Sequence, residues 1–162
     1  MSENEPVIGN ISERGTDNCE FYFSANPGQQ PGSLKNIISG GELSRLMLVL
    51  KSIVRDKAAT TFIFDEIDSG IGGKTAEFVG EKLKTIAQET QVICISHLPQ
   101  IASFATNHFR ISKEFKENMT FSHVAELKDE EKVNEIARLM AGSAVNDDVL
   151  NAARNLLTKN SR

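Results

Sequence analysis

Acidic and imidazole side chains follow two short apolar runs of this sequence, at the points where each run ends. Asp65 and Glu66 follow the run TFIF, and His97 follows the run VICIS. One carboxylate can hold Mg²⁺, because hard cations prefer oxygen ligands. A second carboxylate can orient or deprotonate a water molecule for in-line attack on a phosphate. These residue types indicate metal-assisted phosphoryl chemistry.

The alternative for the same residues is purely structural. Asp65 and Glu66 would cap the loop after their strand, and His97 would be a turn residue; either feature alone is compatible with this reading. Ligands of open α/β sheets lie beyond the carboxyl ends of the strands, and neighbouring strands lie roughly 5 Å apart. The combination of acids and imidazole at two such ends therefore favours a functional site.

The segment Ser39-Gly40-Gly41-Glu42 precedes a long amphipathic pattern. Ser-x-x-Glu is a capping box and needs no ligand. A capping box does not require two glycines between its ends, however. Glycines let a backbone approach its neighbours closely, and a helix N-terminus offers free N–H groups to an anion. We therefore predict that the segment both caps a helix and presents a phosphate site.

A β–α–β unit is predicted to position these groups. The apolar runs at 61–65 and 91–96 flank a helical pattern at 74–89, and a helix at 42–55 precedes them. Nearly continuous apolar strands that alternate with a helix indicate a buried, mainly parallel sheet and an α/β fold. The remaining predicted elements are a strand at 20–25, a short helix at 99–105, a hairpin at 108–113 and 119–127, and two closing helices at 129–141 and 147–159. Residues 1–18 are predicted to be a flexible lead-in to one domain, 19–162.

Composition limits the classes of function. The 162 residues carry a net charge of −4 and a pI of about 5.4, which does not suit a surface that grips DNA by itself. No apolar run approaches the roughly 20 residues of a membrane helix. Cys19 and Cys94 match no disulfide or metal spacing. We expect a cytoplasmic protein without a membrane partner.

One segment imitates a phosphate-binding loop. Gly73-Lys74-Thr75 ends like the pattern G-x-x-x-x-G-K-[ST], but the first glycine of that pattern would fall on Asp68. Carboxylates at positions 65, 66 and 68 would also repel a polyphosphate. We therefore predict that the sequence has no phosphate cradle of its own.

The order of these pieces resembles the C-terminal part of the ATPase head in the SMC-like ABC family. The run ISGGELSR at 38–45 is similar to the signature motif, TFIFDE at 61–66 to Walker B, IDSG at 67–70 to the D-loop, and His97 to the switch histidine. The run SHLPQIA at 96–102 and the run EIARLMAG at 135–142 narrow the resemblance to a bacterial DNA-repair member. It extends from about Cys19 to the end.

The resemblance implies the C-terminal lobe of a P-loop NTPase and a division of labour between two halves of a head. Asp65 would bind Mg²⁺, and Glu66 and His97 would be catalytic toward an ATP held by an N-terminal half that carries Walker A. The nucleotide-binding residues of this chain would be Ser39, Gly40, Gly41, Glu42 and Asp68. The three residues Ser39–Gly41 would reach the ATP of a second head, so that ATP joins two heads and hydrolysis releases them.

Three functions remain open at this point. The first is part of an ATPase of double-strand break repair and recombination, inactive alone, nucleoid-associated and in contact with DNA through the full-length protein. The second is a non-catalytic module that binds another SMC-like head through its signature face. The third, a small-molecule kinase using residues 73–75, is the least favoured.

Overall fold

The computed structural model describes residues 15, 19–24, 27–36, 39–53, 61–116 and 119–161. Parts of several predicted features lie outside these residues: most of the lead-in 1–18, position 25 of the first strand, position 38 of the signature motif, and positions 54 and 55 of the long helix. The chain divides into two compact units, Met1–Ile38 and Ser39–Arg162. The predicted boundary after residue 18 stays a prediction.

The first unit contains a small antiparallel pair. Strand β1 (Tyr22–Phe23) pairs with β2 (Gly32–Ser33), and a 3-10 helix follows at Leu34–Asn36. The predicted strand is therefore present but shorter than its aromatic run. Gly28 has a φ of 87°, a value that favours glycine and lets the loop between the strands turn.

The second unit begins with the predicted β–α–β arrangement. Helix α1 (Gly40–Ile53) precedes strand β3 (Thr61–Phe64), helix α2 (Gly73–Ala87) and strand β4 (Gln91–Cys94). The two strands pair in parallel, from Thr61 opposite Gln91 to Phe64 opposite Cys94. The buried apolar core of this region comprises Leu48, Phe64, Ile67, Ala76, Val79, Leu83 and Ile101.

The remaining elements follow the predicted order. They are α3 (Pro99–Ala102), β5 (His108–Lys116), β6 (Met119–Leu127), α4 (Glu130–Ala141) and α5 (Asp147–Ser161). Strands β5 and β6 form an antiparallel hairpin. Helices α4 and α5 pack on each other around Val133, Ile136, Ala137 and Ala153. Among the described helices, none is both long enough and apolar enough to cross a bilayer.

The prediction of a mainly parallel sheet is not confirmed. The described strands form three two-stranded sheets, of which only β3–β4 is parallel. Because successive side chains of a strand point to opposite faces, Phe62 and Phe64 pack on the core while Ile63 and Ile93 remain 67% and 46% exposed. Within the described residues, the parallel pair therefore has one covered face and one uncovered apolar face.

Candidate active site

The carboxyl ends of the two parallel strands meet at one edge, as the sequence predicts. The last register pair is Phe64 with Cys94, and the backbone N–H of Ile95 donates to the carbonyl of Phe64 at 2.9 Å. The chain then continues into Asp65 and Glu66 on one side and toward His97 on the other. Both acidic side chains and the imidazole are exposed. This edge therefore offers two carboxylates and an imidazole to the solvent.

The turn after β3 has an unusual backbone. Glu66 has a φ of 55°, in the left-handed region that non-glycine residues rarely adopt. Asp65 Oδ1 accepts a hydrogen bond from the N–H of Glu66 at 2.9 Å, and the carbonyl of Glu66 accepts one from Ser69 N–H at 3.0 Å. Such a conformation costs about 1–3 kcal/mol and needs support from its surroundings. The capping bond expected from the structural alternative is present, and it leaves both carboxylates at the surface.

Helix α1 supplies that support through two side chains. Ser44 Oγ donates to the carbonyl of Asp65 at 2.8 Å. The guanidinium of Arg45 donates to the carbonyls of Ile67 and Ser69 at 3.1 and 2.7 Å. Three main-chain carbonyls of the acidic loop are thus held by consecutive residues of one helix. Ser44 and Arg45 lie within the run similar to the signature motif, but this role does not follow from the sequence, because a main-chain acceptor leaves no trace in it.

The N-terminus of α1 confirms the serine half of the predicted capping box. Ser39 Oγ accepts a hydrogen bond from the N–H of Glu42 at 3.2 Å, which satisfies one of the free N–H groups at the helix start. Ser39 is half-buried, so its capping role and a contact with an outside anion both stay compatible with its position.

The two glycines of the segment have neighbours within the chain. A Cβ atom at Gly40 would lie 2.6 Å from Glu66 Oε2, and one at Gly41 would lie 2.8 Å from Ser69 Cβ and 2.9 Å from the carbonyl oxygen of Glu66. The close approach of α1 to the acidic loop therefore requires glycine at position 41, whereas a methyl group at position 40 would meet only the end of the flexible Glu66 side chain. The predicted approach of a phosphate stays a prediction beside this intramolecular reason.

Asp68 faces into the chain. Its side chain is only 5% exposed, and its Oδ2 accepts hydrogen bonds from Ser96 Oγ at 2.6 Å and from His97 N–H at 2.8 Å. The same oxygen lies 2.9 Å from His97 Nδ1. Burial alone would raise the pKa of Asp68, but the hydrogen bonds from Ser96 and His97 and the nearby imidazole outweigh it and hold the pKa below its ordinary value. The structure thus joins the predicted D-loop acid to the predicted switch histidine.

The thiol beneath this edge is not a reactive group. Burial, followed by the charges of Asp68 and Asp65, raises the pKa of Cys94 to about 12. Within the described part of the chain, no three His, Cys, Asp or Glu side chains form a group that could hold a metal ion. A Mg²⁺ ion at Asp65 would take its other ligands from phosphate and water, as this cation commonly does.

Several DNA repair proteins are similar to this chain in sequence. No family model matches the chain. DNA repair protein RecN of Halalkalibacterium halodurans is 45% identical over 146 residues, which are 90% of this chain and 26% of that protein. RecN of Bacillus subtilis is 40% identical over 161 residues, and RecN of Rickettsia bellii is 44% identical over 155; these matches cover 96% and 91% of this chain and 28% of each relative.

One solved structure is also similar in part. It is described as "Structural biochemistry of ATP-driven dimerization and DNA stimulated activation of SMC ATPases", and the alignment covers 70% of this chain and 68% of the other at 20% identity, with a TM-score of 0.46. The chain spans about a quarter of the length of the curated relatives it matches. This chain is thus similar to RecN DNA repair proteins over a segment of about a quarter of their length.

Proposed function

We propose that this chain is the part of a RecN-like ATPase head that supplies the hydrolytic carboxylates, the switch histidine and the signature segment. The observation that carries the proposal is the edge where β3 and β4 end together. Asp65 and Glu66 leave one strand there, and the segment with His97 leaves the other. Helix α1, which begins with the signature glycines, holds the same loop by hydrogen bonds.

Each exposed group has a role that its chemistry fits. Asp65 is an oxygen ligand for the Mg²⁺ that accompanies ATP, and this ion would neutralise charge on the phosphates. Glu66 orients or deprotonates the attacking water, which requires a carboxylate that is exposed and held in position. His97 contributes a hydrogen bond from the neighbouring strand end. The fold class that suits these roles is the C-terminal lobe of a P-loop NTPase.

The phosphate-binding half of the head is proposed to come from another segment, because this sequence lacks the G-x-x-x-x-G-K-[ST] pattern. That segment would hold the ATP on which Glu66 acts. Ser39, Gly40, Gly41 and Glu42, at the N-terminus of α1, would contact the ATP of a second head, since helix N-termini favour phosphate. ATP would then join two heads, and hydrolysis would release them.

The biological setting follows from the RecN relatives and is likewise a proposal. The complete protein would act in DNA double-strand break repair and recombination in the bacterial cytoplasm, associated with the nucleoid. It would contact DNA through surfaces outside this chain, whose net charge is −4. A surface that neutralises DNA phosphates needs lysine and arginine in excess.

The test is reconstitution of ATP hydrolysis. This chain alone should show negligible turnover, and turnover should appear when it is co-expressed with a RecN segment that carries a phosphate-binding lysine. Glu66→Gln in the reconstituted head should abolish hydrolysis while leaving ATP binding intact, because only the water-activating oxygen is lost. Glu81→Gln, on the exposed surface of α2, is the matched control and should leave turnover unchanged. A reconstituted head that binds ATP but hydrolyses it equally well with Glu66→Gln would contradict the assignment and favour the non-catalytic interaction module.

A further inference from the structure

The carboxylate of Asp68 is a buried polar group near the strand ends with several partners. Its Oδ2 accepts hydrogen bonds from Ser96 Oγ at 2.6 Å and from the backbone N–H of His97 at 2.8 Å, and it lies 2.9 Å from His97 Nδ1. A carboxylate that is 5% exposed is stable only with such partners. Because its pKa is lowered, Asp68 is ionised at neutral pH and can only accept hydrogen bonds.

The His97 ring has little else to orient it. Its side chain is 74% exposed, and an exposed ring without a close contact samples several rotamers. Its backbone, by contrast, is well fixed: Ser96 Oγ also accepts the N–H of Leu98 at 3.1 Å, and α3 begins at Pro99. The 2.9 Å contact between Nδ1 and Asp68 Oδ2 therefore ties the ring to this fixed backbone position.

The same contact favours one proton position on the ring. An anionic oxygen 2.9 Å away would repel the lone pair of an unprotonated Nδ1, so the contact favours a hydrogen on Nδ1, with Nε2 on the other side of the exposed ring. We propose that Asp68 is a positioning residue that holds the His97 ring through Nδ1–H, so that Nε2 faces outward. The consequence for hydrolysis rests on the proposed function, in which His97 acts at the ATPase site. Asp68 would then act through His97 and not by contact with nucleotide.

The direct test reads the proton position in this chain without ATP. Long-range ¹H–¹⁵N correlation spectra of ¹⁵N-labelled chain, recorded at a pH where the rings are neutral, distinguish the two tautomers of each of the three histidines. The His97 signal is assigned by its loss in His97→Gln. We expect neutral His97 to be the Nδ1–H tautomer. An Nε2–H tautomer in the unmutated chain overturns the inference, whether or not any variant folds.

Two variants separate orientation from general stability. Asp68→Ala should shift neutral His97 toward the Nε2–H tautomer, because the acceptor is gone. Ser96→Ala removes a partner of Asp68 without touching the ring and should preserve the Nδ1–H tautomer. An Nδ1–H signal that persists in folded Asp68→Ala shows that another group sets the ring, and overturns the inference.

Turnover of the reconstituted head separates failure of this inference from failure of the proposed function. Asp68→Ala should lower kcat by about 10–100-fold with a smaller change in KM, by analogy with the loss of the orienting partner of a metal-ligating histidine. Loss of turnover in His97→Gln but not in Asp68→Ala overturns the inference and leaves the proposed function standing. Unchanged turnover in both variants contradicts the role given to His97 in the proposed function, and the tautomer then decides the inference alone.

Discussion

The two adjacent glycines at the start of α1 should respond differently to substitution by alanine. A methyl group at Gly41 would meet Ser69 Cβ at 2.8 Å and the backbone carbonyl of Glu66 at 2.9 Å. Neither atom can move without displacing the acidic loop, which is held by Arg45. A methyl group at Gly40 would instead meet the carboxylate end of the exposed Glu66 side chain at 2.6 Å. That end can rotate into solvent.

The magnitudes follow from this difference. Insertion of a methyl group into a packed contact costs typically about 1–3 kcal/mol. Both substitutions gain the same kind of helix propensity, at most about 1 kcal/mol each, and this gain cancels when the two variants are compared. Gly41→Ala should therefore be less stable than Gly40→Ala by about 1–3 kcal/mol. Gly40→Ala itself should be as stable as the unmutated chain or slightly more stable.

The assay is urea denaturation of the chain, followed by circular dichroism, for both variants in parallel. The difference in the free energy of unfolding is read from the midpoints at a common slope. A difference smaller than about 0.5 kcal/mol, within the range of ordinary surface substitutions, would refute the close contact between α1 and the acidic loop. Greater loss of stability in Gly40→Ala would refute the placement of Glu66.

Three further outcomes are expected from other contacts. Arg45→Met should lower the free energy of unfolding by about 1–3 kcal/mol in the same assay, because two loop carbonyls lose a charged donor. An unchanged midpoint would contradict a stabilising role for these two hydrogen bonds. Gly80→Ala should destabilise the chain, since its Cβ would lie 2.3 Å from the Phe104 ring. Adding Phe104→Leu should restore part of the lost stability. No recovery in the double variant would count against the contact between Gly80 and Phe104. Burial lowers the pKa of His108 below its ordinary 6.5, only partly offset by its bond to a backbone carbonyl. As the pH drops, the unfolded chain therefore binds a proton at this histidine before the folded chain does. The stability that the neutral ring contributes above pH 6.5 should be lost as the pH falls through the folded pKa. His108→Gln should flatten this slope in denaturation curves recorded between about pH 7.5 and 5, and a parallel slope would contradict burial of the neutral ring.

The sequence predicted those parts of the fold that depend on local pattern. The unbroken apolar runs of β3 and β4, with helical spacing between them, predicted a parallel pair whose ends meet, and the structure confirms it. The serine of the capping box was predictable for the same reason, because its donor lies three residues away. In each case the interaction partners are close in the sequence or fixed by strand order.

Long-range polar contacts could not be predicted in this way. The carbonyls held by Arg45 lie 22 and 24 residues along the chain, and every residue offers a carbonyl, so no residue type marks them. Asp68 was assigned to nucleotide from its motif position, and only the fold places its carboxylate beneath His97. The extent of the sheet was also beyond sequence reasoning, since hydrophobic runs reveal that a strand is buried but not which strands lie beside it.

The central proposal is that Glu66 would act on the ATP of its own head while the signature segment would act on the ATP of the other. Within one chain, a Cβ atom at Gly40 would lie 2.6 Å from Glu66 Oε2, so the two residues are also close enough to serve a single nucleotide, and an experiment must distinguish the two arrangements. The most direct measurement is the ATPase rate of an equal mixture of reconstituted heads, one set with Glu66→Gln and the other with Ser39→Arg, each inactive alone. If the two residues act on different nucleotides, each mixed dimer keeps one intact site, and random pairing should restore roughly a quarter of the unmutated rate. If both residues serve the same nucleotide, every site in the mixture carries one defect, and the mixture will stay inactive although its heads associate.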